Sequence, residues 1–170
     1  MNKWDTIYTE GKDFTPLNEI FLDSLLQKIK NDTGKFPKTV IDLGCGTGDA
    51  LLKFSQQGLD IQGVDSSEAA LQKTRKRFQN AGISKIKLDM SDLDALDINT
   101  IFDIIFCKLT YAFMEDKIVF LQNVKKMMKE NSIFVLITPV LYKGVHYDQK
   151  DKPGIAVDFE ETKDILTKEF

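Results

Sequence analysis

Three glycines, Gly44, Gly46 and Gly48, stand at alternate positions between an apolar run over 40–43 and an amphipathic run that begins near Asp49. Glycine permits a positive φ in a tight turn and lets a ligand reach backbone that a Cβ would shield. A helix that follows such a turn offers unpaired N–H groups and a partial positive charge. Spacing then separates the ligands. The dinucleotide fingerprint is G-x-G-x-x-G, with a pyrophosphate resting on the helix start. Here the third glycine arrives one residue early, and Asp49 stands where the fingerprint has its last glycine. An acidic side chain at that point repels a pyrophosphate. No G-K-[ST] follows, so the run is not a P-loop either. Two further carboxylates belong to the pattern. Asp42 lies two residues before Gly44, and Asp65 lies 21 residues after it. A carboxylate ending the second strand of such a fold accepts hydrogen bonds from both ribose hydroxyls. A glycine shelf, a ribose reader and acidic neighbours suit a nucleoside that carries a positive charge or an amino group.

These residues need a strand, a turn and a helix to hold them, and the chain supplies that alternation throughout. Strand 1 is predicted over Thr39–Leu43. The helix after the glycines stops near Gly58, a left-handed cap. Strand 2 covers 60–64 and is closed by Asp65. Ser66 or Ser67 caps the next helix, which carries Leu71, Thr74 and Phe78 on one face and ends at Gly82. Strand 3 is expected near 85–88. The run "FDIIFC" gives strand 4, apolar without interruption after Asp103, as in a strand buried on both faces. A helix over 115–129 turns Phe120, Leu121, Val124, Met127 and Met128 inward, and "SIFVLITPV" gives strand 5. A helix over 17–30 precedes strand 1. A loop over 142–154 and a helix with Phe159, Leu166 and Phe170 inward close the chain. Strands alternating with helices give an α/β, Rossmann-like doubly wound sheet that is mostly parallel. Its ligands bind beyond the carboxyl ends of the strands.

Composition narrows the chemistry further. The chain has 170 residues, enough for one domain with a core of its own. Hydrophobic content is 42%, charged content 29% and formal net charge −3. That balance argues against nucleic-acid or anionic-membrane partners. Two cysteines, Cys45 and Cys107, are too few for a disulfide framework, and no Cys/His spacing suggests zinc, so no metal is expected. His146 is the single histidine, which excludes any mechanism needing two imidazoles in one chain. The N-terminus has early charges and no apolar core, unlike a signal peptide, and no run approaches the ~20 apolar residues of a membrane span. The expectation is a cytoplasmic protein.

"VIDLGCGTGDALLKF" followed by "IQGVDSS" resembles the class I S-adenosylmethionine-dependent methyltransferases, whose first motif is an acidic residue, one residue, then G-x-G-x-G. The likeness continues through "LDMSDLD", "FDIIFCKLTYAF" and "MMKENSIFVLITP", in family order, over residues 35 to 140. It implies a single methyltransferase domain over 1–170. Residues 1–34 form a lid and helix segment, 35–140 the cofactor-binding core, and 141–170 a loop and C-terminal helix. It implies S-adenosyl-L-methionine as cofactor and S-adenosyl-L-homocysteine as product. Asp42, Gly44, Cys45, Gly46 and Gly48 would line the methionine end. Asp65 would bind the ribose, with Ser66 beside it. Asp89 would lie near the adenine amino group with Met90 packed on the ring. Cys107 and Lys108, at the end of strand 4, would meet the methionine amino group through their backbone. Trp4, Tyr8 and Phe14 look like part of a lid.

The implied reaction is an in-line displacement at the sulfonium methyl. The protein contributes alignment and water exclusion, and orientation is worth roughly 7–11 kcal/mol at best. The family has no universal catalytic residue. Tyr111 and His146 are the candidates for chemistry, and Tyr142 and Tyr8 for contact with the acceptor. After strand 4 the chain reads Cys107-Lys108-Leu109-Thr110, not the N-P-P-[YF] of DNA amino-methyltransferases. With the acidic balance this favours a small-molecule acceptor. Binding of the cofactor without turnover, transfer to protein or RNA, and a nicotinamide-dependent oxidoreductase are the rival expectations. The family sheet has seven strands in order 3-2-1-4-5-7-6, whereas five are visible here, in order 3-2-1-4-5, and the last two are missing. Strand 5 is then an exposed edge. Truncation is the favoured explanation, ahead of cover by the tail or a homodimer through that edge.

Overall fold

Val40, Ile41 and Leu43 are completely buried, because the strand they form has a neighbour on each side and a helical layer on each face. This is β1 (Thr39–Leu43). It pairs in parallel with β2 (Asp60–Asp65) and with β4 (Ile104–Lys108). The computed structural model describes residues 3–147 and 156–170. Outside β2 lies β3 (Lys87–Met90), and outside β4 lies β5 (Ile133–Ile137). All four pairings are parallel and the order is β3-β2-β1-β4-β5, as the sequence led us to expect. A staple aligns the entry to β1 and β4. The Asp103 carboxylate accepts from Lys38 N (2.7 Å) and Thr39 N (3.1 Å), while Asp103 N donates to Thr39 Oγ1 (2.9 Å).

Successive strand residues face opposite sides, and the two cores follow that rule. Ile41, Leu43, Ile105 and Cys107 pack with Phe120, Leu121 and Val124 of α5 (Lys117–Lys126). Val40, Ile104 and Phe106 pack with Leu22, Leu26 and Ile29 of α2 (Glu19–Thr33), and with Ala50 and Phe54 of α3 (Asp49–Gln56). Beside them α4 (Glu68–Asn80) sets Leu71 and Phe78 against Leu51 and Cys45. Both cysteines are free and buried.

Helix ends follow the capping chemistry. Asn18 Oδ1 accepts from Phe21 N at the start of α2, and Gly34 closes it at φ 71°. Asp116 Oδ1 accepts from Ile118 N and Val119 N, so α5 begins two residues later than the apolar period suggests. Ser67, rather than Ser66, caps α4, accepting from Ala70 N at 3.1 Å.

Three differences from the sequence reading concern the site. Residues 3–9 form a helix, α1 (Lys3–Thr9). β3 lies two residues later than expected, which puts Asp89 inside the strand, opposite Val64. Beyond β5, a short parallel pair forms between β6 (Val140–Leu141) and β7 (Val157–Asp158), ahead of α6 (Phe159–Glu169). Residues 148–154 of the predicted 142–154 loop lie outside the described residues. Phe170 stacks on Phe134 of β5 (5.7 Å), so the tail covers a face beside β5. The five-stranded sheet still ends at β5 among the described residues. No described helix is long and apolar enough to cross a membrane.

Candidate functional site

The turn from β1 to α3 needs glycine for two reasons at once. Gly44 lies at φ 81° and Gly46 at φ 54°, a region that L side chains rarely occupy. A Cβ on Gly44 would strike the Thr110 side chain, and one on Gly46 would lie 2.7 Å from the Tyr8 hydroxyl. Gly48, at φ 76°, opens α3.

Above this turn is a cavity of about 260 Å³ at the carboxyl ends of β1, β2 and β4. Asp42, Gly44, Cys45, Gly46, Asp65, Ser66 and Lys108 all line it, as does Tyr8. Gly48 does not, since it faces Thr74. Seven carboxylate residues reach the cavity (Asp13, Asp42, Asp49, Asp65, Asp92, Asp94 and Glu115) against one basic residue, Lys108. Such a wall attracts a cation and repels phosphates.

Two buried acids lie deepest. Asp42 is 3% exposed, and its carboxylate has no hydrogen-bond partner among the described residues. Burial raises its pKa to about 7, against the pull of the Lys108 ammonium. Asp65 is buried as well, yet its Oδ2 accepts from Gly46 N (2.8 Å) and its Oδ1 from Ser67 N (2.9 Å). Burial lifts its pKa, and the N–H groups of Ser67, Gly46 and Ser66 oppose the lift. The carboxylate keeps acceptor capacity for a further donor. Lys108 is shifted down by burial, with Asp42 acting against that.

The N-terminal segment roofs the cavity. Asp5 of α1 accepts from Ser67 Oγ (2.7 Å) and Ala69 N (3.2 Å) at the start of α4, where an anion is favoured by the helix dipole. Lys73 Nζ donates to the Tyr8 carbonyl. Asp13 accepts from Thr47 Oγ1 (2.9 Å) and faces Arg77, which also bonds Asp49 (3.2 Å). Leu17 N donates to Asp49 Oδ2 (2.7 Å), and Lys108 Nζ donates to the Thr15 carbonyl (2.7 Å). Trp4, Tyr8 and Phe14 meet edge to face on the cavity wall, with Trp4 4.7 Å from Phe113. Asp5, Asp13, Arg77 and Phe113 were not singled out by sequence. Their roles depend on which distant segments meet, although Asp5 and Asp13 lie in the segment expected to form a lid.

Six further expected site residues lie outside the cavity wall. Asp89, drawn into β3 by its register, accepts from Gln62 Nε2 and is not on the cavity wall, while Met90 is 63% exposed and also outside it. Asp92, Leu93 and Asp94 occupy that wall instead. Cys107 points into the core below α5, and burial pushes its thiol pKa upward. Tyr111 is wholly buried in the same core. Its hydroxyl has no partner there, and burial pushes its pKa up to about 12. His146 and Tyr142 are exposed and away from the cavity. Leu109, at φ 61°, is a strained residue at the cavity rim, tied by its N–H to the Ile137 carbonyl.

A family model described as a methyltransferase domain matches residues 37–169. The chain is 24% identical over 117 residues to a ubiquinone biosynthesis O-methyltransferase of Rickettsia conorii, covering 69% of this chain and 39% of that protein. It is 30% identical over 144 residues to the mRNA cap guanine-N(7) methyltransferase of Schizosaccharomyces pombe, covering 76% of this chain and 40% of that one. The chain therefore spans about two fifths of the length of these two relatives. Among solved structures, the plantazolicin methyltransferase BpumL, in complex with a pentazolic desmethylPZN analog and SAH, superimposes with a TM-score of 0.73 at 21% identity, over 98% of this chain and 68% of that one. An S-adenosylmethionine-dependent methyltransferase from Clostridium acetobutylicum gives 0.61 at 23% identity, over 72% and 52%. A match that begins before β1 and runs to the end of α6 takes in the whole sheet, and on it the chain belongs to the family described as a methyltransferase domain.

Proposed function

We propose that the chain transfers the methyl group of S-adenosylmethionine to a small-molecule acceptor by in-line displacement, acting chiefly through alignment. The observation that carries this is the charge of the cavity, with seven carboxylate residues and one lysine around a glycine turn. It suits a ligand whose sulfonium and ammonium are both cationic. The cofactor supplies an activated methyl carbon and a thioether leaving group. The protein's part is to hold and to exclude. Asp65 accepts from the ribose hydroxyls with its remaining acceptor capacity. Asp42 and the Gly44–Gly46 backbone face the methionine end. Leu93 and Asp92 take the wall beside the base that sequence reasoning gave to Asp89 and Met90. The strap over 13–17 and the Trp4, Tyr8 and Phe14 rings keep water from the reacting atoms, which strengthens every electrostatic contact within.

Transfer to RNA is the second reading, favoured by the similarity to the cap methyltransferase. Against it stands the acidic rim of Asp92, Asp94 and Glu115, which repels a phosphate chain. Incubation of the protein with methyl-labelled S-adenosylmethionine, metabolites, total RNA and protein separates the two. Label is expected in the acid-soluble metabolites. Label in precipitated RNA or protein would contradict a small-molecule acceptor.

A further inference from the structure

Part of the cavity wall is both aromatic and acidic. It is built by segments far apart in sequence. Trp4 comes from α1, Phe113 and Glu115 from the turn after β4, and Asp94 from the turn after β3. Glu115 N donates to Asp94 Oδ1 (3.1 Å), which brings the two acids onto one wall. Trp4 and Phe113 meet edge to face at 4.7 Å.

Two observations say what charge this corner takes. The chain's own Lys3 ammonium already lies over both rings, 5.4 Å from the Trp4 centroid and 5.5 Å from that of Phe113. Aromatic faces attract ammonium groups through their quadrupole. Beside the rings, Asp94 and Glu115 set two carboxylates on one wall. One S-adenosylmethionine brings a single net positive charge to a wall of seven carboxylate residues and one lysine. Asp13 and Asp49 are paired with Arg77 and Lys53, but Asp92, Asp94 and Glu115 still give the cavity an acidic edge, so an anionic acceptor is disfavoured and a cationic one is drawn in.

Resting on the methyl-transfer reading above, we propose that the acceptor is an amine, cationic in solution, held by Trp4 and Phe113 with Asp94 and Glu115 and methylated on nitrogen. The atoms balance. The ammonium gives one proton to the Glu115 carboxylate, which is exposed and returns it to solvent. The freed nitrogen lone pair attacks the methyl carbon. The carbon–sulfur bond breaks with its electron pair left on sulfur, giving the thioether S-adenosylhomocysteine. The product nitrogen bears the methyl group and one positive charge. The Lys3 ammonium must yield its place on the rings to the incoming amine.

The test uses three ring compounds of like shape and different charge: tyramine, 4-ethylphenol and 3-(4-hydroxyphenyl)propionate. Each is titrated into the chain saturated with S-adenosylhomocysteine. Saturation is established first, so a failure of the cofactor reading shows there as absence of S-adenosylhomocysteine binding. The expected result is that tyramine binds at least about tenfold more tightly than either of the others, and that Asp94→Asn with Glu115→Gln removes the preference. A Lys3→Ala chain should bind tyramine more tightly than the parent. Equal binding of the three, preference for the acid or the neutral phenol, or no binding of any by the loaded protein would overturn the proposal.

Discussion

Asp42 shows most directly what a site costs the residue that builds it. At 3% exposure its carboxyl is pushed from 3.8 to about 7. In the unfolded chain the group ionises near the lower value, and in the folded chain near the higher. Between them the folded state holds the extra proton, so stability falls as pH rises through that window, by up to about 1.4 kcal/mol per pH unit, and levels off above it. Urea unfolding at pH 5 and pH 8 should show this loss, and Asp42→Asn should flatten it. A cationic ligand favours the ionised form, so cofactor affinity is expected to rise as pH passes about 7. Tyr111 makes the opposite case. Its type and its place after strand 4 suggested chemistry, but its hydroxyl is sealed in the core without a partner. Leaving a buried donor unsatisfied costs about 1–3 kcal/mol, so Tyr111→Phe should raise the melting temperature and leave methyl transfer unchanged. Asp42, Asp65 and the glycines were legible because residue type and spacing within one strand–turn–helix unit fix their places. Tyr111 was not, because which way a side chain turns after a strand depends on what packs over it.

Among the elements, α1 is held by contacts outside itself, and Asp5 supplies an anionic one. Seven residues are too short to hold a helix in water unaided. Asp5, on Ser67 Oγ and Ala69 N, fixes α1 to the start of α4. The same turn holds Asp65 through Ser67 N, and Asp65 holds Gly46, over which Tyr8 of α1 lies. Roof and floor are thereby one hydrogen-bonded circuit. Asp5→Ala removes a capping anion worth about 1 kcal/mol. Amide exchange in α1 should quicken well before the sheet amides change, and cofactor affinity should weaken several-fold. Unchanged exchange in α1 would show that its aromatic contacts suffice. The sequence marked this segment as a lid by its rings but not as a helix, since seven residues hold too few periods to register. β3 was misplaced for a related reason. Its apolar content ends at Leu88, while its pairing with β2 runs on to Met90, and register rather than hydrophobicity decided where Asp89 went.

At the scale of the whole molecule, strand order and the place of the cavity were legible throughout. Short buried runs alternating with amphipathic helices leave few ways to build a parallel sheet, and the cavity follows at its carboxyl edge. The sum of charge around that cavity was not legible, because it gathers acids from five separate segments between Asp13 and Glu115. That sum carries the central claim, and one titration tests it. S-adenosylhomocysteine is added to the chain and to Asp65→Ala in a calorimeter, with NAD as the control. The account predicts micromolar binding to the parent chain, loss of most of it in Asp65→Ala, and none for NAD. Binding of NAD, or S-adenosylhomocysteine affinity indifferent to Asp65 in a folded variant, would contradict it.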